Sequence, residues 1–133
     1  MGNRSMVQTV ALVFGVVYLA VGILGFLPFL GGSYTQTSSS LLGLFPINLL
    51  HNIVHALIGI AGIAAAASIA SSRSYEKAVG VVLLLLGVVG IFIAQPLGLL
   101  NIGGLDIFLH LATGAILAYF GFAAATTPRR ATA

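Results

Sequence analysis

The sequence contains no cysteine, which excludes disulfides, thiolate metal ligands and cysteine nucleophiles together. Charge is nearly missing as well. Five Lys and Arg and two Asp and Glu make up 5% of 133 residues, against about 25% in an ordinary soluble domain. There is no serine nucleophile beside a base, no glycine-rich phosphate cradle and no His-Glu-x-x-His motif of the zinc proteases. Two connecting segments, 31–40 and 95–104, carry no Lys or Arg at all. The familiar signatures of a soluble enzyme are therefore absent, and no catalytic residue is assigned.

What fills the chain instead is apolar: 59% of residues are hydrophobic and the mean hydropathy is +1.16. Four apolar stretches, at about 7–30, 47–69, 78–93 and 105–124, compare with the roughly 17 to 25 residues of a membrane-spanning helix. They predict an all-α, four-helix transmembrane bundle, a single domain over 1–133 with no soluble part of useful size. Arg4 precedes the first stretch, Arg73 and Lys77 lie between the second and third, and Arg129 and Arg130 follow the fourth. By the positive-inside rule both termini and the central loop are cytoplasmic, and the two uncharged loops face outward. The net charge of +3 thus reads as topology and attraction to anionic lipid, and no nucleic-acid partner is implied. The first stretch exceeds the apolar core of a signal peptide and lacks a small-x-small cleavage site, so it is expected to be a retained helix.

Small residues recur at helical spacing. Gly15, Tyr18, Gly22 and Gly25 share one face of the first helix, and Gly80, Gly87 and Gly90 line the third. Such faces let helix backbones approach closely in lipid. Tyr18 on that face is either a packing aromatic, the preferred reading because its hydroxyl can find a local carbonyl, or a hydrogen-bonding partner deep in the bundle. Segment 31–40, rich in Gly, Ser and Thr, reads as a flexible connector, with Pro46 starting the second helix and Gln95-Pro96 closing the third. Asn48, His51, His55, Gly59 and Gly62 share a face of the second helix; Asp106, His110 and Gly114 share one on the fourth.

The second half of the chain repeats the first. At an offset of 55, Gly43, Leu44, Ile47, Leu50, His55 and Gly59 fall on Gly98, Leu99, Ile102, Leu105, His110 and Gly114, and His51 falls on Asp106. At an offset of 65, Gly15, Val16, Val17, Gly22 and Gly25 fall on Gly80, Val81, Val82, Gly87 and Gly90. The ten-residue change is an extension of the first outer loop. Two tandem helical-hairpin repeats, about 7–71 and 78–125, follow. Each holds an even number of spans, so a parallel pseudo-two-fold axis should run along the membrane normal. His55 then faces His110, and His51 is matched by Asp106, all toward the outer leaflet.

Gly22-Ile23-Leu24-Gly25-Phe26-Leu27-Pro28, Leu42-Gly43-Leu44-Phe45, Asn48-Leu49-Leu50-His51-Asn52-Ile53-Val54-His55 with Gly59, and Asp106-Ile107-Phe108-Leu109-His110 resemble the DUF4383 family of small four-span bacterial membrane proteins. The likeness covers essentially the whole chain, and the Asn-x-x-His-Asn-x-x-His segment is its most specific part. It implies four helices and the bacterial cytoplasmic membrane. It implies no reaction, because the function of the family is unknown.

Ionisable side chains within a span cost a few kcal/mol each and mark a functional or paired site. Asp106 is expected to be the only carboxylate in any span. His51, His55, Asp106 and His110 match the ligand set of a Zn, Fe, Mn or Cu centre, because i, i+4 spacing lets one helix supply two ligands. Asn48 and Asn52 would fix imidazole tautomers from behind. Haem held by His55 and His110 is a weaker form of this reading, since the outer side offers no cation for the propionates. The bland alternative is a hydrogen-bond cluster locking the hairpins, in an accessory subunit of a larger membrane complex. A third is a proton-coupled transporter of a small solute, using histidine as the titrating group; four short helices would need to form a homo-oligomer for this.

Overall fold

The computed structural model describes residues 4–124; Arg129 and Arg130 lie outside the described residues. Four helices carry the fold: α1 (Met6–Leu24), α2 (Leu49–Ala65), α3 (Ile69–Phe92) and α4 (Leu105–Phe122). α1, α3 and α4 are long and apolar enough to cross a membrane. α2 has 17 residues, about 26 Å at 1.5 Å per residue, and is the short member. The protein is a helical membrane protein.

Each helix start is specified by its neighbours in sequence. Ser5 caps α1 in a reciprocal box with Gln8, which satisfies two otherwise orphaned donors. The Gln8 amide also donates to the Ala66 carbonyl at 3.1 Å, tying the start of α1 to the turn between α2 and α3. Asn48 caps α2 and Ser68 caps α3. These two caps correct the sequence reading. Pro46 lies in a strand rather than at the helix start, and the central loop shrinks to Ala66, Ala67 and Ser68, because Ser68 restarts a helix at Ile69. Arg73 and Lys77 therefore stand on the early turns of α3 and not in a loop.

Glu76 moves into a helix for the same reason. It is fully buried, and neither carboxylate oxygen has a partner among the described residues. Asp106 is thus not the only carboxylate inside a helix long enough to span.

The chain pairs α1 with α2 and α3 with α4 through glycine. A Cβ placed on Gly15 would meet the Ile63 nitrogen at 2.5 Å and the Gly59 carbonyl oxygen at 2.9 Å; one on Gly80 would meet the Ala118 nitrogen at 2.5 Å and the Gly114 oxygen at 3.1 Å. Only hydrogen fits at these approaches. Contact this close supplies the dispersion that holds helices together in lipid. Tyr18, Tyr75, Leu83 and Leu117 fill the centre, where the two pairs meet.

The 31–40 segment is folded rather than a free connector. A short helical turn at Pro28–Leu30 precedes an antiparallel ribbon of β1 (Ser39–Leu41) and β2 (Phe45–Ile47). Gln36 fastens it: its side-chain oxygen accepts from the Leu50 N–H at 2.8 Å, and its amide donates to the Leu99 carbonyl at 3.0 Å. The ribbon and the 93–104 segment cap one end of the bundle, beside the starts of α2 and α4.

Candidate metal centre

The starts of α2 and α4 also place the polar side chains. Asn48 Oδ1 accepts the His51 N–H at 2.9 Å, so His51 is fixed in the first turn of α2 and His55 follows one turn deeper. Asp106 lies in the first turn of α4, where the helix dipole favours a negative charge, and His110 follows one turn on. All four expected residues come together. His51, Asp106 and His110 are buried and His55 is partly so. Ring centroids lie 4.5 Å apart for His51 and His55, 5.9 Å for His51 and His110, and 6.0 Å for His55 and His110.

Hydrogen bonds decide which ring nitrogens face the cluster. Nδ1 of His51 is 2.8 Å from the Asn101 carbonyl, and Nδ1 of His110 is 2.8 Å from the Asp106 main-chain carbonyl. A carbonyl only accepts, so each Nδ1 carries the proton and each Nε2 presents a lone pair. His51 Nε2 sits 2.9 Å from His55 Nε2; since the former is bare, the latter donates. One atom of each of the three histidines lies within 4.8 Å of the other two. A cavity of about 10 Å³, lined by all three rings and by apolar side chains such as Leu83 and Ile102, is close to the roughly 10 to 15 Å³ that holds one water-sized occupant.

The carboxylate is near but unspent. Asp106 Oδ2 is 3.2 Å from His110 Nδ1 and 3.9 Å from His51 Nε2. The His110 proton goes to the main-chain carbonyl, and Oδ2 keeps no hydrogen bond among the described residues; His55 Nδ1 is likewise buried without a partner. Asn48 and Asn52 do not reach an imidazole. Asn48 donates to the Leu99 carbonyl at 2.8 Å, and Asn52 to the Gly25 carbonyl at 2.6 Å and that of Ser33 at 3.2 Å. They bolt loops to α2. The tautomer of His51 is set by Asn101, which sequence reading passed over; an isolated polar residue among Leu100 and Ile102 was the available signal.

Tyr18 also joins the site. Its ring lies 5.0 Å from that of His55, and its hydroxyl meets Thr113 Oγ1 on α4 at 2.8 Å, which favours the second of the two expectations, a hydrogen-bonding partner in the bundle, over a local carbonyl. A second cavity, of about 240 Å³, opens beside the cluster.

Fold and site together define a small helical membrane protein whose core holds a histidine and aspartate cluster. The chain belongs to the family described as a domain of unknown function, DUF4383, whose model matches residues 8–123. No curated protein and no solved structure matches it significantly.

Proposed function

We propose that the protein binds a divalent transition metal, of the Zn, Fe, Mn or Cu class, within the membrane. His51, His55 and His110 supply Nε2 ligands, and Asp106 compensates the charge beside them. The observation that carries this reading is the commitment of two Nδ1–H groups to main-chain carbonyls, the arrangement that turns the opposite nitrogen of a metal-ligating histidine toward its ion. At Zn–N distances of about 2.0 to 2.1 Å a tetrahedral pair of nitrogens is about 3.3 Å apart. The 2.9 Å pair of His51 and His55 needs to open by a few tenths of an ångström. His55 then carries its proton on Nδ1, which has no hydrogen-bond partner among the described residues.

A purely structural cluster is disfavoured by magnitude. An interhelical hydrogen bond in a membrane protein averages about 0.6 kcal/mol, whereas a buried polar atom left unsatisfied costs about 1 to 3 kcal/mol and more when charged. Asp106 Oδ2 is such an atom among the described residues, with the His110 ring 3.2 Å away as its ionic neighbour, so a lock built this way gains little. Haem fits poorly, because His51 Nε2 stands beside His55 Nε2 where iron would sit.

The same reading keeps the tandem-repeat architecture. Under the offsets of 65 and 55, Gly15 against Ile63 and Gly59 becomes Gly80 against Ala118 and Gly114, the contacts at those two glycines. Leu42-Gly43 and Leu97-Gly98, 55 positions apart, share left-handed backbones, at φ 55° and 69° and at φ 56° and 66°; leucine rarely adopts this conformation. Arg4, Arg73 and Lys77 support termini on the cytoplasmic side of a bacterial membrane, with the metal toward the outer face. Assembly as a homo-oligomer or within a larger complex is compatible with the exposed apolar helix faces.

Elemental analysis of detergent-purified protein beside His55→Ala and His110→Ala tests the proposal. Near-stoichiometric metal, lost in both variants, is expected. A metal-free wild type that also takes up no added Zn or Fe would end it.

A further inference from the structure

Cavities of about 240 Å³ and about 10 Å³ flank the histidine cluster, and they are counterparts. Under the offsets of 65 and 55, Tyr18, Val21, Phe45 and Ile47 of the large one fall on Leu83, Leu86, Leu100 and Ile102 of the small one, and Leu109 and Thr113 fall on Val54 and Ile58. The open side carries the bulkier rings, Tyr18 and Phe45 against Leu83 and Leu100, so its volume is not left over from small side chains. Backbone separation keeps it open. The β1–β2 ribbon roofs it with Leu41, Leu42 and Phe45, where the equivalent connection of the second half has only the turn Pro96–Gly98. This architecture can close such a space, and at the small cavity it does.

The wall selects the occupant. Thr113 donates its hydroxyl proton to the Leu109 carbonyl at 2.6 Å, so Tyr18 is the donor in the 2.8 Å bond between the two hydroxyls, and Asn52 commits its amide to the Gly25 and Ser33 carbonyls. Almost no polar atom is left facing the cavity, and no Lys or Arg lines it. Water needs two to four polar partners, and an apolar cavity of about 150 Å³ stays dry and takes benzene instead. Left empty, the space forfeits the dispersion contacts of its lining. Its rim is Val17, Leu24, Leu42 and Leu109, all exposed, so it opens sideways between α1 and α4. On a bundle that spans a membrane, the medium at that mouth is hydrocarbon. From this geometry we infer that the large cavity is a binding site for one acyl chain of a bilayer lipid, which enters between α1 and α4 and ends beside the histidine cluster. The chain is what is recognised; the headgroup stays at the mouth. The site goes beyond the metal reading and stands without it, because protein side chains alone form it.

The test is photolabelling of full-length protein in nanodiscs doped with phosphatidylcholine or phosphatidylglycerol that carries a diazirine in one acyl chain, with adducts located by peptide mass spectrometry. Tyr18 and Tyr75 are buried alike, at 6% and 7% exposure, but only Tyr18 lines the cavity. Labelled Tyr18 and spared Tyr75 are expected, to the same extent from either headgroup. Val17→Phe and Val21→Phe, which fill the cavity, should each abolish the Tyr18 adduct. Val82→Phe, the same change at the repeat counterpart of Val17, should keep it. Unlabelled Tyr18, equal labelling of both tyrosines, labelling from phosphatidylglycerol alone, or an adduct indifferent to both filling substitutions would overturn the inference. Where a variant fails to fold, the comparison of Tyr18 with Tyr75 in the wild type decides. Metal content measured on the same samples keeps the two readings apart. Bound metal with unlabelled Tyr18 sinks only the chain site; labelled Tyr18 in a chain that takes up no metal sinks only the metal.

Discussion

His51 and Asn101 meet at 2.8 Å, ring Nδ1 to main-chain carbonyl, so the loop that leads into α4 decides which nitrogen of an α2 histidine is free. Asn101 is held in turn by its own amide, which donates to Ser38 Oγ at 2.6 Å. Asn101→Ala keeps the carbonyl and removes its anchor. Metal affinity, read by competition with a chromophoric chelator, should fall about tenfold to a hundredfold, as for other outer partners of ligating histidines. Unchanged affinity would mean that the loop holds the carbonyl without help.

A ligand that binds only the folded state raises stability by mass action. Added Zn at a hundred times its dissociation constant should stabilise the wild type by about 2.7 kcal/mol, seen as a higher melting temperature in detergent. His51→Ala and His110→Ala should lose that increment. If they keep it, the ion binds elsewhere.

Much of this site was legible in the sequence, for a physical reason. A histidine or aspartate in an apolar helix stands out against its surroundings, and i, i+4 spacing assigns it to a face, which is how His51, His55, Asp106 and His110 could be grouped. The small faces of α1 and α3 were legible by the same periodicity. The β1–β2 ribbon was not, because its order comes from contacts of long separation such as Gln36 with Leu99, which no local pattern announces. Glu76 was misplaced because Arg73 and Lys77 flank it, and a charged run reads as a loop unless the Ser68 cap is recognised.

The absence of cysteine makes orientation simple to measure. Thr37→Cys, in the segment between α1 and α2, and Ala67→Cys, in the turn between α2 and α3, are both at exposed positions. In intact cells a membrane-impermeant maleimide should label Cys at 37 and spare Cys at 67 until the membrane is opened. The reverse pattern would invert the topology and place the histidine cluster toward the cytoplasm.

Equal use of glycine in the two helix pairs predicts equal penalties. Gly15→Val and Gly80→Val each force a side chain into a backbone 2.5 Å away, and over-packing of this kind costs about 1 to 3 kcal/mol. Both should lower the melting temperature by similar amounts. A large loss at one position alone would argue against repeat-equivalent packing.

Glu76 gives the opposite prediction. Its carboxylate is buried without a hydrogen bond among the described residues, and beside it the Arg73 Nε also lacks one. Arg73 instead donates through its terminal nitrogen to the Ala124 carbonyl, so it is not free to satisfy the acid in full. Replacing a buried acid by a neutral or apolar group of similar volume removes a desolvation cost that, among the described residues, the nearby Arg73 charge offsets only in part. Glu76→Gln and Glu76→Leu should therefore be as stable as the wild type or more so, by about 1 to 3 kcal/mol. If both instead melt earlier, and a charge-restoring Glu76→Asp recovers the loss, the carboxylate is engaged with a cation, and Arg129 or Arg130 of the C-terminal segment becomes the residue to exchange next.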